Sequence, residues 1–146
     1  MQQHESGTDR SLRILQESGY RITRPRRSVI NAVQRTERAF SADELLGDLQ
    51  VSDPGVGRAT VFRTLDVLVQ NGLLDRIHRP DGCHSYVRCD GSARHHHHLI
   101  CSTCGVVVPF EDCTVEPLLN ELSHRTSFQI SGHWLEVFGH CSACQS

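Results

Sequence analysis

Lysine is absent from the 146 residues, so all 15 basic side chains are arginines. Every formal cation is therefore a guanidinium, the planar group that grips phosphates and guanine edges through paired hydrogen bonds. Excess charge is also scarce. Seventeen acidic residues leave a formal net charge of −2, which gives no general nucleic-acid signal. No run of about twenty apolar residues occurs, and nothing resembles a signal peptide, so the expectation is a soluble cytoplasmic protein without a membrane partner. His-Glu-x-x-His is missing too. A zinc hydrolase needs an open coordination position beside a carboxylate base; the candidate ligand sets in this chain instead read as closed by four protein donors. Neither an enzyme nor a small-molecule substrate is expected.

What the chain does have is cysteine and histidine, seven and ten of them. Cysteines spaced as Cys-x-x-Cys in a reducing compartment more often bind metal than form disulfides, and the odd count argues against a complete disulfide framework. The length suits one ordinary domain or two small ones. Two small ones would have thin cores that need metal or dimerisation to hold them. Charge divides the chain unevenly: residues 1–80 carry 12 Arg against 10 acids, and residues 81–146 carry 3 Arg against 7 acids. The basic residues cluster locally in "RITRPRR", Arg21–Arg27. That cluster suits a nucleic-acid contact or a solvated helix entrance.

The first half reads as helices followed by a hairpin. "TDRSLRILQESG" has Leu12, Ile14 and Leu15 at helical spacing and Gly19 as a stop. Thr23 is a plausible N-cap for the next helix, with Pro25 in the first turn, where its missing N–H does no harm. Val29, Ile30 and Val33 give that helix an apolar face. Ser41 and Glu44 form a capping box at the start of "SADELLGDLQ". "RATVFRTLDVLVQNG" is a fourth helix, with Val61, Leu65, Leu68 and Val69 on one side. In "LLDRIHRPDGCHSYVRC" the Asp81-Gly82 pair favours a tight turn between extended segments. This is winged helix-turn-helix order, which would place the fourth helix in a DNA major groove. Arg58, Thr60, Phe62 and Arg63 cluster in its first two turns. That polarity supplies donors for guanine and a ring for the thymine methyl, although a surface helix with two exposed arginines would look the same.

The second half is shorter. "LIC", "VVVPF" and "HWLEVFG" read as strands, and "VEPLLNELSHRT" as an amphipathic helix with Val115, Leu118, Leu119 and Leu122 on its apolar face. Such a small α/β unit buries itself only partly, and a second copy is the natural remedy. Within it, Cys101-x-x-Cys104 and Cys141-x-x-Cys144 are two metal knuckles. Four thiolates in two such pairs are the expected ligands of a closed tetrahedral zinc site, with Gly105 letting the backbone turn toward the sulfurs. A thioredoxin-like redox pair is the minor rival.

Between the halves runs "ARHHHHLICSTCG". On an extended segment alternate side chains point to opposite faces, so His95 and His97 would face one way, His96 and His98 the other. One run can thus seed two metal sites. Asp75, His78, Cys89, Glu116 and His133 are further potential ligands.

From about Leu12 to Cys144 the chain resembles the ferric uptake regulator superfamily. The likeness rests on "RATVFRTLDVLVQNGLL", "HHHHLICSTCG", "HWLEVFGHC" and the closing Cys-x-x-Cys, in the family's order and spacing. The resemblance implies an α+β chain: a winged-helix DNA-binding domain over 1–89, a hinge around 88–94 and a metal-binding α/β dimerisation domain over 95–146. It implies that Cys101, Cys104, Cys141 and Cys144 hold structural zinc. His96 and His98 correspond to the regulatory hinge site, and His95, His97, Glu116 and His133 to a further site. Phe62 and Arg63 correspond to an aromatic-arginine pair that reads bases, with Phe where Tyr is usual. Arg26 corresponds to a basic DNA contact ahead of the second helix.

The departures bear on the metal. Iron and peroxide sensors take a further histidine from the segment before "SADELL", where this chain has Arg38, Ala39 and Phe40. Cys89 stands where iron regulators place a carboxylate, and a soft thiolate suits zinc better. His78 completes a Cys, three-His shell of ordinary zinc chemistry, with Asp75 as the alternative ligand. The expectation is a zinc-responsive repressor that binds an inverted-repeat operator as a homodimer and silences zinc-uptake genes. An iron, manganese, nickel or peroxide sensor is the alternative. Cys83, Cys113, His84, His124 and His140 have no assigned role.

Overall fold

The computed structural model describes residues 6–89, 97–110 and 113–145. Two compact units divide the chain, residues 1–92 and 93–146.

In the first unit, four helices run in order as α1 (Gly7–Glu17), α2 (Arg24–Gln34), α3 (Ala42–Ser52) and α4 (Arg58–Gln70), followed by strands β1 (Leu74–His78) and β2 (His84–Arg88). Local chemistry sets the boundaries. The Thr23 hydroxyl accepts from the Arg26 amide at the start of α2, with Pro25 in the first turn. Ser41 and Glu44 close both halves of a capping box at the start of α3. The β1–β2 turn passes through Gly82 at φ +81°, a left-handed conformation that glycine adopts without steric cost. Leu12, Leu15, Val29, Ile30, Val33, Leu45, Leu49, Val61, Leu65, Leu68 and Leu74 pack into one core. The hairpin is tied to that core by Phe40, whose backbone exchanges two hydrogen bonds with Tyr86 at 3.0 and 2.7 Å. The two rings stack 5.9 Å apart.

The second unit has three strands and one helix: β3 (His97–Cys101), β4 (Val107–Phe110), α5 (Glu116–Thr126) and β5 (Glu136–Gly139). The strand order is β4-β3-β5. β4 runs antiparallel to β3, pairing Leu99 with Val108, and β5 runs parallel to it, pairing Leu99 with Val137. The segment "HWLEVFG" pairs from Glu136 onward, with the Leu135 carbonyl still accepting from the His98 amide at 3.3 Å. α5 has no buried residue, and Leu118 is 53% exposed. No helix among the described residues is long and apolar enough to cross a membrane.

Candidate metal centres and nucleic-acid face

β3 carries Cys101 at its end, and the turn after it carries Cys104; Cys141 and Cys144 occupy the turn that follows β5. Because β3 and β5 are parallel neighbours, both turns leave the sheet at the same end, and the four sulfurs come within 4.8 Å of one another. Cys104 Sγ lies 3.7 Å from Cys141 Sγ. The sulfur–sulfur edge of a tetrahedron with Zn–S bonds of about 2.3 Å is about 3.8 Å, so the spacing already suits zinc. Gly105 turns the first knuckle at φ +73°.

The electrostatics make the same case. Backbone N–H groups of Cys104 and Cys141 hold the Cys101 thiol down to about 5, and the Cys141 amide donates to its sulfur at 3.4 Å. Hydrogen bonding with the Cys141 side chain and burial push the Cys144 thiol up to about 12. One sulfur in the cluster ionises readily while its neighbour resists a second negative charge. A divalent cation at the centre removes that conflict, as it does wherever thiols coordinate metal. The cluster therefore fits structural zinc.

At the opposite end of β3, His97 is almost fully buried, with 1% exposure. Its ring sits 5.3 Å from that of Phe110, its cross-strand partner, and 5.3 Å from that of His133. His97, His133 and Cys113 offer three ligand atoms within 4.8 Å of one another. Glu116 is not in this group; it is exposed, at the start of α5. Cys113 is the member that residue spacing missed. His98 is also buried and follows His97 on β3, so the two project to opposite faces. His95 and His96 lie outside the described residues.

On the hairpin, register distinguishes the two candidate partners of Cys89. The Cys89 amide donates to the Leu73 carbonyl at 3.1 Å, which extends the β1–β2 register by one pair. Asp75, two residues along from Leu73, is the same-face diagonal neighbour of Cys89, a spacing of about 7–8 Å between Cα atoms. His78 pairs with His84 beside the turn, and the two rings meet edge to face at 5.3 Å. Five residues of strand at about 3.3 Å each separate His78 from Leu73, and the odd step points it to the other face. The ribbon thus brings Asp75 toward Cys89 and carries His78 away. Sequence spacing favours His78, whereas the register sets Asp75 nearer to Cys89. Phe40, in the segment with Arg38 and Ala39 that offers no histidine, is buried as the strut of the hairpin.

The residues expected to meet DNA gather on the first unit. Val61, Thr64, Leu65 and Leu68 turn α4 inward. Arg58 and Arg63 are exposed, with Thr60 and Phe62 half-buried between the core and solvent. Arg26, Thr60 and Arg63 line one recess of about 490 Å³ with Thr23, Pro25 and Thr64. The N-termini of α2 and α4 thus converge there. Arg58 lies over the Phe62 ring at 4.8 Å and forms an ion pair with Asp43. The Arg26 guanidinium donates to the Arg21 carbonyl at 2.7 Å.

Residues 17–138 match the ferric uptake regulator family. The chain is 35% identical over 129 residues to a zinc uptake regulation protein of Mycobacterium tuberculosis, covering 88% of this chain and 98% of that one. It is 32% identical over 142 residues to a ferric uptake regulation protein of Bacillus subtilis, covering 96% and 95%. Among solved structures, a zinc uptake regulator complexed with zinc and DNA superposes with a TM-score of 0.75 at 27% identity, covering 93% of this chain and 91% of that one.

Proposed function

Because the chain belongs to the ferric uptake regulator family of metal-responsive transcription regulators, we propose that it is a zinc-responsive repressor. It binds an inverted-repeat operator as a homodimer and silences zinc-uptake genes when its regulatory ligands are loaded. The observation that carries the zinc assignment is the Cys89 thiol with Asp75 as its diagonal neighbour on the hairpin. Together with His96 and His98 they make a mixed sulfur, nitrogen and oxygen set, soft enough to select zinc over iron or manganese. The likeness to a mycobacterial zinc uptake regulation protein supports the same reading.

Asp75, Cys89, His96 and His98 would hold the ion, and zinc bound there would supply the directed bonds that fix its ligands. Locking the hairpin favours DNA binding only through the difference in zinc affinity between the competent and incompetent arrangements. Two recognition helices then enter major grooves roughly 34 Å apart. Arg63 and Phe62 read base edges from α4, and Arg26 takes a phosphate across the recess that it shares with Arg63 and Thr60. An apolar row across the sheet supports a second copy as partner. Val108, Leu99 and Val137 stand opposite one another on neighbouring strands, each more than 40% exposed.

Operator binding titrated in parallel with zinc, iron and manganese tests the proposal. Zinc should raise affinity at the lowest free concentration, and Cys89→Ser should abolish that rise while leaving a folded dimer. A serine hydroxyl stays protonated where a zinc-bound thiol does not. Wild-type zinc-dependent binding by the mutant would remove the case for zinc over iron.

A further inference from the structure

We propose that His97, Cys113 and His133 form a metal site of the second unit in which the thiolate of Cys113, and not the carboxylate of Glu116, is the anionic ligand, and that its ion is zinc. All three residues belong to the second unit, so the site stands apart from zinc sensing and DNA binding.

The topology explains why these three meet. His97 opens β3 opposite Phe110, the last residue of β4. Cys113 lies just before α5, where its carbonyl accepts from the Glu116 amide at 3.4 Å. His133 lies in the segment that leads into β5, the other neighbour of β3. The site thus gathers a donor from the central strand and one from the approach to each flanking element. Its counterpart of four cysteines lies at the far end of the same strand. By the two-residue period of a strand, His97 and Cys101 project to the same face.

The donor set is chemically specific. Cys113 Sγ lies 3.3 Å from His133 Nε2. Zn–S and Zn–N bonds of about 2.3 and 2.0–2.1 Å at a tetrahedral angle set that edge at about 3.5 Å. All three donor atoms lie within 4.8 Å of one another, which leaves room for an ion between them and solvent or another donor as the fourth ligand. A thiolate and two imidazoles favour zinc over magnesium, calcium or manganese, which prefer oxygen. A carboxylate in place of Cys113 would have made the site more permissive. The rival reading is a plain thiol–imidazole hydrogen bond between Cys113 and His133 with no metal.

The test uses the full-length chain carrying Cys89→Ser, which removes the proposed regulatory site, under reducing conditions. Metal is stripped and cobalt(II) is added as a spectroscopic probe, followed by zinc for counting. Two ions per chain are expected, and the cobalt spectrum should resolve a four-sulfur centre and a second tetrahedral centre with weaker sulfur charge transfer. Adding Cys113→Ala should lower the count to one and erase the second centre while the four-sulfur band stays. Adding Glu116→Gln should leave both. A count unchanged by Cys113→Ala, or lowered by Glu116→Gln, overturns the assignment. Because Cys113→Ala could disturb the fold, alkylation of the unmutated Cys113 is followed by mass spectrometry as well. Zinc should protect Cys113 at least tenfold while the exposed Cys83 reacts freely; equal rates with and without zinc leave only the hydrogen bond.

Discussion

The two units solve the problem of small size in different ways. In the first, residues from all four helices and the hairpin are buried in one apolar core, with Leu15, Val29, Ile30, Val61 and Leu65 fully inaccessible. In the second, among the described residues, the buried side chains are Ile100, Cys101, His97 and His98. Large apolar groups lie outside instead: Trp134 is 73% exposed and Phe128 69%. A unit that size with so little apolar burial cannot offset its conformational entropy by packing alone. The first unit is held by hydrocarbon, whereas the second would need metal at its four sulfurs or a second copy to make up the difference.

The sharpest way to break this contrast is to remove one sulfur. Cys101→Ser should unfold the second unit, because structural zinc binding is folding free energy on the order of 10 kcal/mol or more in small zinc modules. The first unit should remain folded. Trp134 is the only tryptophan and lies in the second unit, so its fluorescence reports that unit, while helical circular dichroism is dominated by the four helices of the first. A mutant that keeps its zinc content and a native tryptophan spectrum would falsify the structural-zinc assignment.

Apolar truncation should show the opposite pattern. Leu65→Ala should cost the first unit about 2–5 kcal/mol in urea unfolding, since the side chain is fully buried. The matching change Leu118→Ala on α5 should shift the second unit by no more than about 0.5 kcal/mol. A large loss at Leu118 in a monomeric sample would mean that α5 is buried after all.

Smaller effects test the DNA face of the first unit. Arg63→Ala should relax base preference at one operator position at a cost of roughly 1–3 kcal/mol, whereas Arg26→Ala should weaken all sequences alike and reduce the salt dependence. Binding to a panel of singly substituted operators distinguishes the two, and equal, sequence-independent losses would make Arg63 a phosphate contact only. The smallest change is expected from Asp43→Asn. It frees Arg58 from an exposed ion pair worth about 0–1 kcal/mol, so DNA affinity should rise by that amount or less at low salt. A fall in affinity would show that Asp43 positions Arg58 instead of competing for it.

Much of the first unit was legible because its signals are local. The Thr23 cap with Pro25, the Ser41–Glu44 box and the Asp81-Gly82 turn each act within four residues, and each stands in the structure where the sequence puts it. The two Cys-x-x-Cys pairs were legible for another reason: each knuckle is a local turn, and thiol pairing leaves few alternatives. Strand register was not legible. Whether Asp75 or His78 neighbours Cys89 depends on which residues of the hairpin stand opposite, and both choices keep plausible zinc chemistry. Cys113 was missed because its partners lie 16 and 20 residues away in sequence (113 − 97 and 133 − 113), across strands whose alignment no short motif encodes. Glu116 lay closer to the family pattern, and the start of α5 turns it to solvent.

The parallel pairing of β3 with β5 also has a consequence for the order of folding. His98 must find Glu136 before the sheet can close, and such distant pairings are slow because loop-closure entropy is lost before contacts repay it. The Cys101–Cys141 contact closes nearly the same loop, so metal taken up by the four sulfurs would close that loop together with the strand pairing. The first unit needs nothing beyond Cys89 to complete its hairpin. A chain under synthesis can therefore finish its first unit while the remainder is still an open loop, and metal supplied to the four sulfurs would shorten the life of that half-assembled species.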